Sequence, residues 1–87
     1  MPDMDDIQDR LEALFRQWNV DKAGNLVSQN DILNRWTIDW PRPERLAVLP
    51  VMERLVQLGH FEVKTAADAN AQGQWRITQL GVDSLYK

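Results

Sequence analysis

The sequence predicts a single α+β domain, residues 1 to 87, in which helices precede a two-stranded hairpin. Residues 4 to 18 place apolar side chains at helical spacing, and two runs between residues 60 and 78 alternate apolar and polar residues around a polar tip. A chain of this length buries only roughly 60 to 65% of its unfolded surface, and an isolated hairpin is barely stable in water. We therefore expect the hairpin and the helices to share one core.

Composition narrows the class of protein. Hydrophobic residues make up 44% of the chain and four are Trp, which is typical of a folded globular domain. The sequence has no Cys, so disulfides, thiolate zinc sites and a cysteine nucleophile are excluded, and the cytoplasm is the default compartment. No apolar run is long enough to span a bilayer, and the acidic N-terminus does not look like a signal peptide.

The net charge of −3 is unevenly distributed. The first 20 residues carry the entire excess of negative charge, and the remainder of the chain is balanced. Proteins that bind nucleic acid usually have a basic surplus, because phosphate contacts supply much of the affinity. Any basic face on this protein must therefore be local.

The first helix is predicted over residues 4 to 18, with a loop over residues 19 to 25. Acidic residues at its start fit the helix dipole and solubility, but the same cluster also fits a contact surface for a cationic partner. The apolar stripe consists of Met4, Ile7, Leu11, Leu14, Phe15 and Trp18, and the acidic cluster includes Asp3, Asp5 and Asp6.

A short strand and a second helix follow. Leu26 and Val27 suit a strand, and Ser28 with Asp31 three residues later resembles a capping box for a helix over residues 29 to 36. Pro41 and Pro43 prevent that helix from continuing.

The third helix is predicted over residues 44 to 58, ending at Gly59. Pro50 lies within this span, so either the helix bends there or it begins there and the preceding residues form a separate turn. The expected buried stripe is Val48, Leu49, Met52, Leu55 and Val56.

One hairpin register satisfies both the apolar residues and the charges within residues 60 to 78. It places residues 66 to 72 at the tip, and Thr78 then caps a closing helix over residues 79 to 86. The predicted pairs are Phe61 with Ile77, Glu62 with Arg76, Val63 with Trp75 and Lys64 with Gln74, and the four apolar side chains are expected in the core.

The segments ERLVQLGHFEV (residues 53 to 63) and QWRITQLGVDSL (residues 74 to 85) carry a family resemblance. The chain resembles the winged helix-turn-helix domains of bacterial regulators of the MarR and PadR kind, loosely over residues 26 to 85 and well over residues 54 to 85. The first segment resembles the family where the third helix leads into the hairpin, which is called the wing. The second segment resembles it where the wing leads into the closing helix. The matching positions are Leu55, Gly59, Phe61, Ile77, Thr78 and Gly81.

The resemblance implies that the third helix enters the major groove of double-stranded DNA and that the wing touches the neighbouring backbone. Arginine and glutamine side chains are common readers of base edges, and cations on the wing suit phosphates. The implied DNA-binding residues are Arg42, Arg45, Arg54 and Gln57 on and before the third helix, and Lys64 and Arg76 on the wing.

A second hypothesis is a protein-interaction module, such as an inhibitor or an assembly adaptor. Glu53 shares the exposed helix face, and the wing tip has no Lys or Arg. In this hypothesis the partner would contact Trp40 and the acidic residues Asp5, Asp6 and Asp9. Trp40 either staples the turn between two helices or anchors the partner, whereas core packing is expected of Trp18, Trp36 and Trp75.

The sequence has no recognisable catalytic or cofactor-binding pattern. His60 is the only histidine and lacks partners at metal-ligand or catalytic spacing, and every glycine suits a turn or a cap. We therefore expect a protein that is not an enzyme and needs no cofactor or metal. Self-association through the first helix, the closing helix or both would enlarge its small core, so we expect a homodimer.

Overall fold

A computed structural model describes residues 2 to 86. The first helix and strand are followed by a short helical segment whose second half is π-helical. No helix among the described residues is long and apolar enough to cross a membrane. In chain order the elements are α1 (Met4–Gln17), β1 (Leu26–Ser28), α2 (Gln29–Asp31, continuing as a π-helix over Ile32–Trp36), α3 (Arg42–Leu46), α4 (Val48–Gln57), β2 (Phe61–Thr65), β3 (Gln74–Ile77) and α5 (Gln79–Leu85).

The strands form an antiparallel sheet in the order β1-β3-β2. The pairs Phe61–Ile77, Glu62–Arg76 and Val63–Trp75 confirm the predicted hairpin register. The predicted pairing of Lys64 with Gln74 is wrong, because a bulge between Val63 and Thr65 places Thr65 opposite Gln74. Such a bulge adds one residue to a strand and turns its end away from the regular ladder.

The core lies between α1, α4 and the inner face of the sheet. Phe15 is at its centre, with its ring centroid 5.0 Å from that of Phe61 and 6.0 Å from that of Trp36. The helix predicted for residues 4 to 18 is therefore present, and Ile7, Leu11 and Phe15 of its apolar stripe are buried. The buried apolar residues are Ile7, Leu11, Phe15, Val20, Val27, Ile32, Val48, Val51, Met52, Leu55, Phe61, Trp75, Ile77 and Leu85.

The predicted third helix is divided into α3 and α4 at Ala47. Pro50 is the third residue of α4, where a backbone N–H would have no acceptor within the helix. The proline is therefore accommodated without a kink, and the alternative of a separate preceding turn is the better description. Pro41 is the N-cap of α3, and Pro43 lies in its first turn.

The buried stripe of α4 differs from the prediction at its edges. Val51 is fully buried, although the predicted stripe omitted it, whereas Leu49 and Val56 are only partly buried. The residues Val48, Val51 and Leu55 follow the helical spacing that faces α1. This orientation leaves Leu49 and Val56 on the side that faces the hairpin.

Two residues that were expected in the core are exposed. Val63 is 52% exposed because it lies near the outer end of the hairpin, beyond the part of the sheet that the helices cover. Trp18 is 44% exposed because it follows the last turn of α1, and its ring stacks on that of Trp36 at a centroid distance of 5.7 Å. Trp75 is buried, as expected, and Trp36 is partly buried against the core.

The two helix caps that the sequence predicts, Ser28 before α2 and Thr78 before α5, are both formed. The Ser28 hydroxyl accepts a hydrogen bond from the Asp31 N–H at 3.0 Å, and the Thr78 hydroxyl accepts one from the Gly81 N–H at 3.1 Å. Each cap satisfies a backbone donor at the start of its helix. The first cap directs the chain from β1 into α2, and the second directs it from β3 into α5.

Candidate functional site

A groove of about 600 Å³ runs between α4 and the hairpin. Its helix side is formed by residues that α4 turns away from the core, and its hairpin side is formed by the inner face of the strands beyond Phe61. The polar side chains in its lining belong to Glu53 and Gln57. The apolar lining consists of Leu49, Pro50, Val56, Val63, Ala66, Ala67 and Trp75.

The hairpin wall of the groove is held in place by Gln29. This side chain is only 3% exposed, and its Nε2 donates to the Asp68 carbonyl at 2.9 Å. Its Oε1 accepts from the backbone N–H groups of Asp68 at 3.1 Å and Gly73 at 3.0 Å. The Asp68 carboxylate in turn accepts from the N–H groups of Asn70 and Gln72. The polar tip is therefore an ordered loop.

A second pocket, of about 380 Å³, lies between the π-helical turn and the α3–α4 junction. Leu49 lines both this pocket and the groove, so the two hollows are neighbours on one face of the molecule. Two guanidinium groups, those of Arg42 and Arg45, line the pocket beside apolar side chains. The remaining lining residues are Leu33, Asn34 and Leu46.

Two of the predicted DNA-binding arginines face carboxylates of the protein itself. Arg54 Nη1 lies 2.8 Å from Asp5 Oδ1, which ties α4 to the start of α1. Arg76 Nη1 lies 4.0 Å from Glu62 Oε2, its cross-strand partner on the outer face of the sheet. Both pairs are partly exposed, so each contributes little to stability, but each partly neutralises the cation.

The other candidates for DNA contact are separated from one another. Arg45 donates from Nη2 to the Leu33 carbonyl at 2.7 Å, and its Nε is buried without a partner in residues 2 to 86. Arg42 and Lys64 are exposed, and neither forms an ion pair with any described carboxylate. Gln57 lines the apolar groove. The structure therefore places Arg42 and Arg45 together and leaves Lys64 apart from them in the bulged strand.

The residues of the alternative partner site also have contacts within the protein. Asp3 caps α1 by accepting from the Asp5 N–H at 2.9 Å, and Asp6 lies 3.6 Å from Arg10. Capping and the helix dipole thus explain most of the acidic residues at the start of α1. Asp9, further along α1, is exposed.

Trp40 is partly buried against the core beneath Arg10. The Arg10 guanidinium lies 4.0 Å from the Trp40 ring centroid, and its Nη1 lies 3.1 Å from Glu44 Oε1. This contact joins α1, the loop before α3 and α3 itself. The staple interpretation of Trp40 therefore fits the structure better than a protruding anchor.

Few titratable side chains of the described residues stand out by their surroundings. Residues 2 to 86 contain no cluster of three or more His, Asp or Glu residues that would hold a metal ion. His60 precedes β2, and its carbonyl accepts from the Thr78 N–H at 3.0 Å. The pKa of Tyr86 is raised, chiefly because its hydroxyl donates a hydrogen bond to Asp21.

Compared with protein families, curated proteins and solved structures, the chain matches none. The groove and its neighbouring pocket are therefore the features from which a function can be inferred. Sequence reasoning missed Gln29 as the residue that fixes the hairpin wall, because its partners are distant in the chain. It also placed Val63 in the core on the alternation of its strand, whereas Val63 is 52% exposed.

Proposed function

We propose that this protein is a winged-helix domain that binds an apolar segment of a protein partner in the groove between α4 and the hairpin. The observation that carries the proposal is the exposed apolar lining of this groove, with Val63 52% exposed at its hairpin side. Exposed apolar surfaces of this kind are typical of protein interfaces. An ordered hairpin wall lowers the entropy cost of binding.

The order of the elements supports the winged-helix part of the proposal. A helix, a short strand, three further helical elements and a hairpin follow one another, and β1 pairs with the second hairpin strand. In this arrangement α4 corresponds to the recognition helix and residues 61 to 77 to the wing. The proposed partner segment would thus occupy the surface that faces DNA in the regulators that the sequence resembles.

A DNA-binding regulator is the second candidate function. Arg42 and Lys64 favour it, since both are exposed and free of ion pairs with the carboxylates of residues 2 to 86. Specific DNA binding requires several phosphate contacts together with donors near base edges. Two observations favour binding of a protein partner over binding of DNA. Arg54 and Arg76 are paired with carboxylates, and the exposed face of α4 is apolar.

A selection experiment separates these two functions. A random peptide library displayed on phage would be enriched on the wild-type domain, and a labelled random-sequence duplex would be titrated with the same protein at low salt. We expect peptides rich in apolar residues that fail to bind Val63→Asp, and no salt-sensitive binding of the duplex. Duplex binding that weakens steeply with salt, without selectable peptides, would replace our proposal with the DNA-binding function.

The proposal also limits where a homodimer would form. The apolar stripe of α1 is turned into the core, so self-association would use α5, where Leu80 is 54% exposed beside Gly59. A dimer formed there leaves the groove free for a partner. We propose the cytoplasm as the compartment and a binding role without catalysis.

A further inference from the structure

We infer that the partner segment carries an aspartate or glutamate side chain that binds Arg42 and Arg45 beside the groove. This inference rests on the proposed function, because it assigns the chemistry of the segment that the groove receives. It concerns the smaller pocket, whose lining combines Arg42 and Arg45 with leucine side chains.

Most of the other arginines of the protein are already paired with carboxylates. Arg10, Arg54 and Arg76 each lie within 4.0 Å of an acidic side chain. Arg42 and Arg45 differ, since neither forms an ion pair with an acidic side chain of residues 2 to 86. The pocket is therefore a local positive site on a protein whose net charge is −3.

The position of Arg45 restricts the shape of the ligand. One end of its guanidinium is held by the Leu33 carbonyl at 2.7 Å, and its buried Nε lacks a partner among the described residues. A fixed guanidinium pre-organises its remaining donors for a carboxylate. Arg42, which is exposed, supplies a second and more adaptable cation. The pair is suited to one carboxylate that enters from solvent.

The apolar side chains of the pocket indicate which residues flank the acidic residue in the partner segment. Leu46 is 64% exposed at the rim, and Leu49 continues directly into the groove. A single extended or helical segment can therefore place apolar residues along α4 and an acidic residue at the α3 end. Glu53 in the groove disfavours a second acidic residue at its centre. The recognised class is thus an apolar peptide with an acidic residue towards one end.

Display selection on charge variants tests this assignment. The random peptide library would be enriched separately on wild type, on Arg42→Glu and on Lys64→Glu, the last as a matched control because Lys64 lies outside both hollows. We expect wild type and Lys64→Glu to select Asp or Glu beside apolar residues. Arg42→Glu should keep the apolar preference and lose the preference for an acidic residue, because the introduced carboxylate offsets the charge of Arg45.

A synthetic peptide from the wild-type selection gives the quantitative readout. Changing its acidic residue to the amide should weaken binding to wild type about tenfold, as expected for a charge-assisted hydrogen-bonded pair. The same change should weaken binding to Arg42→Gln clearly less, because only Arg45 remains there to bind the carboxylate. Equal losses on both proteins would overturn the inference.

The outcomes separate this inference from the proposed function. Peptides that depend on Val63 but show no acidic preference would overturn the inference and leave the groove as the binding site. Acidic peptides that depend on Arg42 but tolerate Val63→Asp would contradict the proposed groove and retain the acidic subsite. A selection that yields no specific peptide on wild type counts against both.

Discussion

The Gln29 side chain holds the backbone of Asp68 through hydrogen bonds to both its carbonyl and its N–H, at 2.9 and 3.1 Å. These residues lie 39 positions apart in the sequence. The contact fastens the tip of the hairpin to the start of α2. The polar loop that follows β2 is consequently a fixed wall of the groove.

Replacing Gln29 with Leu should destabilise the domain by about 2 kcal/mol or more. The change preserves side-chain size but leaves the buried Gly73 N–H and the partly buried Asp68 N–H without their acceptor. An unsatisfied buried donor such as that of Gly73 costs about 1 to 3 kcal/mol. Urea unfolding followed by Trp fluorescence measures the loss. Gln72→Leu is the control, since Gln72 is exposed, and it should change stability by less than about 0.5 kcal/mol. Equal effects of the two variants would contradict the role of Gln29.

Replacing Gly81 with Ala should destabilise the protein although it raises helix propensity. An added Cβ would lie 2.2 Å from the His60 carbonyl oxygen and 2.9 Å from Ile77 Cγ1. Overpacking costs about 1 to 3 kcal/mol and the helix propensity of Ala offsets about 1 kcal/mol, so we expect a net loss of up to about 2 kcal/mol. Thermal unfolding compares this variant with Asp83→Ala on the exposed side of α5. A higher melting temperature for Gly81→Ala would show that α5 does not pack closely on His60.

Tyr86 should ionise at a higher pH than an ordinary tyrosine. Its hydroxyl donates to Asp21 Oδ2 at 2.5 Å, and this hydrogen bond, followed by burial and the nearby negative charge, raises the pKa. Because the folded-state pKa is the higher one, the contact stabilises the fold fully below the unfolded value of about 10 and is lost as the pH rises through the folded-state pKa. Ultraviolet absorbance of the phenolate reports this titration directly, since Tyr86 is the only tyrosine.

The Asp21→Ala variant provides the control for this titration. Removing the carboxylate removes both the hydrogen-bond acceptor and the negative charge, so the pKa of Tyr86 should fall towards its ordinary value. The difference in stability between wild type and Asp21→Ala should also narrow at strongly alkaline pH. An unchanged phenol titration in the variant would refute the contact.

Sequence periodicity predicted the local elements and most of the hairpin register. The alternation around Phe61 and Ile77 and the charges of Glu62 and Arg76 agree on one pairing, so the register was predictable. The bulge after Val63 was not, because neither alternation nor charge specifies where a strand gains an extra residue. The break at Ala47 was only partly predictable. Pro50 inside the predicted third helix indicated a bend or a new start, but not the residue at which the helix divides.

The candidate site was less predictable than the fold. Arg54 suited DNA contact by its place on the exposed side of α4, but its pairing with Asp5 depends on how α1 packs across that helix. The groove likewise arises from two elements that meet only in three dimensions, with Val56 on one side and Val63 on the other. Local spacing identifies side chains that are available for contact, whereas tertiary packing decides which of them remain free.

Amide chemical-shift mapping by NMR, with a display-selected peptide added to the wild-type domain, tests the central claim most directly. The proposed groove predicts that the largest shifts occur together at Val56, Val63 and Trp75, with the outer sheet residues Glu62 and Arg76 much less affected. Shifts confined to α1 or to the outer face of the sheet, with the groove residues unchanged, would contradict it.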